Sequence, residues 1–164
     1  MINIPEIPQA SFFKEDFNVE YPIDFKYKTV LDIGADRGST ASHFLRNGAT
    51  FVNCVEGNPV LYDQLVKNLD SLGNCSAYFL WIDTPEKMAQ SLSLQGDIVK
   101  MDIEGAEKHL IELDPQIILQ HREYIIEVHG RVDSNAVILK FTDLGFQAEV
   151  VDKSFRNKVI HFYF

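Results

Sequence analysis

The chain has 164 residues, 46% of them hydrophobic and 24% charged, which suits one globular domain with a real core and excludes a largely disordered chain. Its 24 Asp and Glu against 15 Lys and Arg give a net charge of −9, so nucleic-acid phosphates and anionic membrane surfaces meet no general attraction and are not expected partners. The amino terminus lacks a basic start leading into an apolar core, and no later apolar run approaches the roughly 20 residues that span a bilayer, so a cytoplasmic protein is expected.

Residues 1–28 combine Pro5, Pro8 and Pro22 with Phe12, Phe13, Phe17, Tyr21, Phe25 and Tyr27. That mixture resists long regular structure but is too aromatic for free disorder. The segment is expected to pack on the domain, either capping one edge of the core or forming part of a lid. The core, residues 29–164, opens with Thr29 to Gly38, TVLDIGADRG: a β-branched and apolar strand, then a polar loop bracketed by glycines. Ser39 and Thr40 offer hydroxyls to cap a helix running to about Asn47, and Gly48 stops it. FVNCVEG reads as the second strand, and Asn58-Pro59 opens a helix with Leu61, Leu65, Val66 and Leu69 on one face. Gly73 ends that helix.

CSAYFLWID is the third strand, TPEKMAQSLSL a helix capped by Thr84, and DIVKMDIEG the fourth strand. A helix over 106–113 follows, then the ambiguous DPQIILQHR, then YIIEVHG as the fifth strand. A helix over 134–144 and the strands QAEVVDK and KVIHFYF, meeting at a turn near Asn157, close the chain. Strands alternating with helices predict a three-layer, doubly wound, Rossmann-like α/β fold with a mostly parallel sheet. The last two strands are joined too closely for a crossover, so the final one is predicted to run antiparallel. Cys54 and Cys75 lack metal-ligand spacing and read as small buried hydrophobes.

In such folds ligands bind beyond the carboxyl ends of the strands, where the winding reverses beside strand one. The loop residues Gly34, Ala35, Asp36 and Gly38 with Asp32 before them are therefore cofactor-site candidates. Glu56 and Gly57, at the end of strand two, are candidates for the turn that receives a ribose, with the Glu56 carboxylate accepting from its vicinal hydroxyls. A dinucleotide loop would read GxGxxG, whereas Asp36 places an acid inside the turn. An acid there repels a pyrophosphate and suits a cationic ligand without phosphates, such as S-adenosylmethionine. Lys100, Asp102 and Glu104 recur at period two toward the end of strand four, and Glu127 and His129 do the same in strand five. The two strand ends should bring Asp102, Glu104, Glu127 and His129 to one cleft, where four ionisable groups must be paired, hydrated or functional.

Together VLDIGADRG, VEGNP, DIVKMDIEGAE and IIEVHG, spanning about Thr29 to Gly145, resemble the FkbM-type S-adenosylmethionine-dependent methyltransferases. That resemblance implies a class I methyltransferase fold and methyl transfer, usually to a hydroxyl oxygen. By position it assigns Asp32, Gly34 and Gly38 to the cofactor loop, Glu56 to the ribose contact, and Asp102, Glu104, Glu127 and His129 to active-site signatures. Trp81 and Asp83, at the end of strand three, could then contact the adenine. Gly57 stands where the family commonly has proline, Asp36-Arg37 replaces an Asn and apolar pair, and the link from strand three to strand four is short.

Methyl transfer to oxygen is an in-line displacement at an activated carbon, so the protein mainly aligns the two reactants and excludes water. A hydroxyl acceptor needs a base, and His129 is the expected one, with Glu127 or Asp102 orienting it. The same groups could instead hold a divalent metal, and no metal ligand is assigned. A small molecule or a glycan is the expected acceptor, and a homodimer would supply a missing wall of the site. Two other readings stay open: a nicotinamide-dependent reductase and a non-catalytic module within a larger assembly.

Overall fold

The structure, a computed structural model, describes residues 4–8, 16–153 and 157–164. Phe12, Phe13 and the turn just before Asn157 lie outside the described residues. A short helix, α1 (Phe17–Glu20), is capped by the Asp16 carboxylate and leads to β1 (Thr29–Ile33) and α2 (Ser39–Arg46). Next come β2 (Phe51–Glu56), α3 (Pro59–Leu72), β3 (Cys75–Phe79) and α4 (Pro85–Leu92). After β4 (Ile98–Met101), a 3-10 turn over Ala106–Lys108 runs into α5 (His109–Glu112), and Asp114 caps α6 (Pro115–Ile118). The chain closes with β5 (Glu123–Val128), α7 (Ser134–Asp143), β6 (Gln147–Lys153) and β7 (Lys158–Tyr163).

The seven strands form one sheet in the order β3-β2-β1-β4-β5-β7-β6. All neighbours are parallel except at β7, which runs antiparallel to both β5 and β6, as the short final connection requires. The winding reverses between β1 and β4, which places a ligand site at the carboxyl ends of these strands. One core layer lies between the sheet and α4 to α7, around Leu31, Met101, Tyr124 and Phe141. The other lies beneath α2 and α3, around Val30, Phe44, Leu65 and Ile125. Tyr21 and Phe25 of the amino-terminal segment are buried in this second layer, with the Phe25 and Phe44 ring centroids 4.6 Å apart. Tyr21 and Phe25 thus complete part of one face of the sheet.

Local signals set the helix starts. Asn58 Oδ1 accepts from Val60 N at 2.9 Å, and Thr84 Oγ1 accepts from Lys87 N at 3.3 Å. The helix after the β1 loop differs from expectation: Gly38 is its cap residue and makes no side-chain cap, because the Thr40 hydroxyl is donated instead to Asp32 Oδ2 at 2.5 Å. Two strands also end earlier than their composition suggests. β3 stops at Phe79 because its only neighbour, β2, ends opposite it at Glu56. β4 stops at Met101, paired with Ile33, after which the chain turns away. Asp102 and Glu104 therefore lie in a loop rather than on a strand face, with Glu104 in left-handed backbone at φ 55°. Cys54 is fully buried and Cys75 half-buried, both as free thiols.

At the opposite sheet end, Glu123 joins three segments: its Oε2 accepts from Lys28 Nζ at 2.6 Å and its Oε1 lies 3.0 Å from His161 Nε2. Burial would raise this carboxyl, but His161 and Lys28 outweigh it and hold it below its ordinary value. An acid lowered on folding contributes stability above its unfolded pKa and loses it as pH falls through the folded value. Glu123→Gln should therefore cost about 1 kcal/mol at pH 7, with a smaller deficit below about pH 4. Thermal melts of both proteins across that range check it; a deficit independent of pH would count against the ion-pair origin.

Candidate functional site

The loop after β1 bends over the end of β2, where Gly34 N and Ala35 N both donate to Val55 O, at 2.9 and 3.1 Å. Gly34 is indispensable here: at φ +83° a Cβ would stand 1.7 Å from the Asp102 carbonyl oxygen, so the β1 and β4 loops pass closer than any side chain permits. Behind the loop Asp32 is fully buried, with its Oδ1 3.1 Å from Lys100 Nζ, which also donates to Gly34 O at 2.7 Å. Burial pushes the Asp32 carboxyl up, opposed by the Lys100 charge and the Thr40 hydroxyl. Asp32 and Lys100 together fasten the loop to β4.

In front of the loop is a cavity of about 530 Å³, within the usual size range of small-molecule sites. Gly34, Asp36, Glu56, Gly57 and Asp102 line it as expected, whereas Asp32, Ala35 and Gly38 support it from behind. Glu56 is oriented by two amides: Asn58 N donates to Oε1 at 2.7 Å and Asp36 N to Oε2 at 2.9 Å. Burial raises its pKa, with the Asn58, Asp36 and Gly57 amides pulling the other way. Gly57 also lets the chain pass close to the segment after β3, since a Cβ there would lie 2.9 Å from Trp81 Cα. Trp81 is 61% exposed and lines the cavity beside Leu61, Leu80 and Ile82. Asp83 is outside the lining and is bonded to Lys87 at 2.7 Å. Phe17, from the amino-terminal segment, also lines the cavity.

Asp102 and Glu104, on one wall, also face His129, which follows β5. His129 Nε2 lies 3.6 Å from Asp102 Oδ1, 3.4 Å from Glu104 Oε2 and 4.0 Å from Glu127 Oε1. The cleft predicted from the two strand ends is thus formed, although the β4 side reaches it through a loop. Glu127 is half-buried and held by Asn157 Nδ2 at 2.7 Å. Its carboxyl is raised, by burial first and then by the charge of Asp102.

The other ring nitrogen points to a residue that sequence reasoning passed over. Glu107 is fully buried, and its Oε1, 2.9 Å from His129 Nδ1, also accepts from Ile103 N and Gly105 N at 3.2 and 3.3 Å. An oxygen that accepts two amides fixes the proton on Nδ1. Its only sequence signal was the final acid of DIEGAE. Burial would lower the His129 pKa, but the Glu107 hydrogen bond and the charges of Glu107, Asp102 and Glu104 outweigh it and raise it to about 9. The ring is held as a cation at neutral pH.

No family model and no curated protein matches the chain. Solved structures do. Ribosomal protein L11 methylase from Lactobacillus delbrueckii subsp. bulgaricus is similar with a TM-score of 0.64 at 13% identity, over 88% of this chain and 74% of that one. Fibrillarin from Aeropyrum pernix, solved with S-adenosyl-L-methionine natively bound, is similar with a TM-score of 0.61 at 15% identity, over 87% and 69%. Precorrin-6y C5,15-methyltransferase from Geobacter metallireducens gives 0.58 at 15% identity, over 85% and 82%. The fold is therefore that of the class I methyltransferases.

Proposed function

We propose that this chain is an S-adenosylmethionine-dependent methyltransferase of FkbM-like type that methylates a hydroxyl oxygen on a small-molecule or glycan acceptor. The observation that carries the reading is the charge and shape of the cavity. Asp36, Glu56, Asp102 and Glu104 line it, and the lysine among its lining residues, Lys100, is 3.1 Å from Asp32. Such a lining favours a sulfonium and an ammonium and disfavours a pyrophosphate, which counts against a nicotinamide dinucleotide. Both Glu56 oxygens are oriented by amides, which supports a carboxylate accepting from ribose hydroxyls, and Trp81 with its apolar neighbours would offer a wall for a base. The donor set fits the cofactor.

When bound, S-adenosylmethionine would supply an electrophilic methyl group on a sulfonium, with the neutral thioether as the leaving group. The chain's own residues align and desolvate the two reactants. Glu56 and the β1 loop hold the cofactor end. Asp102 and Glu104, shared by the cavity and the His129 cluster, mark the acceptor end, where one of these carboxylates would take the hydroxyl proton, since His129 is already protonated. The acceptor class is not chosen by the fold: the similar structures named above include a ribosomal protein methylase and a precorrin methyltransferase. The net charge of −9 makes a polyphosphate acceptor unfavourable.

Isothermal titration of S-adenosylmethionine into the wild type and Glu56→Ala tests the reading. Binding should weaken by about 1 to 3 kcal/mol in the variant, roughly 5- to 150-fold. No heat with either protein, and no change in Tm on adding the cofactor, would sink the methyltransferase reading in favour of a non-catalytic module.

A further inference from the structure

We infer that Asp102, Glu104 and His129 form a binding site for one divalent metal ion at the mouth of the cavity. One ligand atom from each of the three lies within 4.8 Å of the others. The separations from His129 Nε2, 3.6 Å to Asp102 and 3.4 Å to Glu104, approach the spacing of about 3.0–3.4 Å between neighbouring ligands around one small cation. Few adjustments are needed. Glu104 is 89% exposed at its side chain and free to swing inward, whereas His129 and Asp102 are largely covered.

Glu107 supplies an independent observation. It is fully buried, its Oε1 receives His129 Nδ1, and its Oε2 has no hydrogen-bond partner among the described residues. A buried carboxylate behind a histidine fixes the ring so that the far nitrogen is presented outward, which is the usual support of a metal-ligating imidazole. Here that far nitrogen faces three carboxylates, Asp102, Glu104 and Glu127. Four acids around one imidazole are more negative charge than a single proton offsets; a dication taking the place of the Nε2 proton would offset two of the four. Lys100, the lysine nearest this wall in the lining, is engaged by Asp32 and Gly34.

One nitrogen and two or three carboxylate oxygens suit an ion of intermediate hardness such as Mn²⁺ better than Ca²⁺, which takes a larger all-oxygen shell. Its remaining coordination positions would open toward the cavity, where an acceptor hydroxyl could bind and be polarised. The catalytic meaning of the site rests on the methyltransferase reading; ion binding itself does not.

Titration of the full chain with Mn²⁺, followed by electron paramagnetic resonance of the free ion, tests the site. One ion per chain should bind in the wild type, and His129→Ala and Asp102→Asn should each weaken it by about tenfold or more. Glu107→Gln should also weaken it, although it does not touch the ion, and Asp143→Asn, remote and exposed, should bind as the wild type does. Thermal melts establish that each variant is folded. No binding by the wild type up to about 1 mM, or equal binding by folded His129→Ala and Asp102→Asn, would overturn the site. S-adenosylmethionine titrated into the same samples keeps the two readings apart. Mn²⁺ binding without cofactor binding would leave the metal site standing and remove the methyltransferase reading; cofactor binding without Mn²⁺ binding would do the reverse.

Discussion

Lys100→Met is expected to lose about 3–5 kcal/mol of folding stability, or roughly 6–20 °C in Tm for a domain of this size. The reason is what it leaves behind. Asp32 is fully buried in the low dielectric of the core, with Lys100 3.1 Å from one oxygen and the Thr40 hydroxyl on the other. Without the ammonium, an ionised carboxylate stays buried against a single hydroxyl, and the Gly34 carbonyl also loses its donor. The deficit should depend on pH in a definite sense. Burial already raises Asp32, and a carboxyl raised on folding contributes stability at low pH that is lost as pH rises through its folded value. Removing Lys100 raises that value further, so the variant should recover part of its loss as pH falls and Asp32 takes up a proton. Urea denaturation at neutral and at lower pH measures both effects. The double variant Asp32→Asn with Lys100→Met should cost clearly less than the sum of the single ones. A single-variant loss under about 1 kcal/mol at pH 7 would mean that the carboxyl is already neutral in the folded wild type.

The second large effect is expected at Gly34. Gly34→Ala would place a methyl 1.7 Å from the Asp102 carbonyl oxygen and 2.8 Å from its carbon, in backbone already at φ +83°. Both obstacles are main chain, so no rotamer change relieves them, and the β4 loop bearing Asp102 and Glu104 must move. We expect a loss above about 4 kcal/mol, enough to leave much of the protein unfolded at 37 °C. Gly105→Ala is the control. Its φ of +106° is equally left-handed, but a Cβ there meets nothing within 4 Å, so only the backbone strain of about 1–2 kcal/mol applies. Circular dichroism and protease resistance compare the two. If the variants were equally stable, the close approach of the β1 and β4 loops would be wrong.

Much of the site was legible because its signals are local. Alternating strands and helices imply the carboxyl-end cleft, and the acid ending β2 follows Asp32 by 24 positions in the sequence. The bonds from Asn58 and Asp36 to Glu56 then give that acid a fixed orientation. Period-two reasoning carried Asp102 and Glu104 to the correct cleft but by the wrong route. It assumed a strand to 105, whereas β4 ends where Ile33 stops offering a partner. Asp83 was assigned as the end of the third strand, but β3 stops at Phe79, and Asp83 lies outside the cavity lining, bonded to Lys87 one helical turn on.

The sequence by itself determined the α/β alternation, the antiparallel last strand, the glycine loop and the helix starts at Asn58 and Thr84. Each of these depends on hydrophobic period, turn residues or caps within a few positions of one another. Only the tertiary structure decided that Lys100 belongs to Asp32 and Gly34, 66 positions from the latter, and that Glu107 anchors His129 across 22. Those partners are chosen by strand order and register. A buried charge takes whichever opposite charge or donor the fold brings within about 3 Å, and no local pattern encodes that distance.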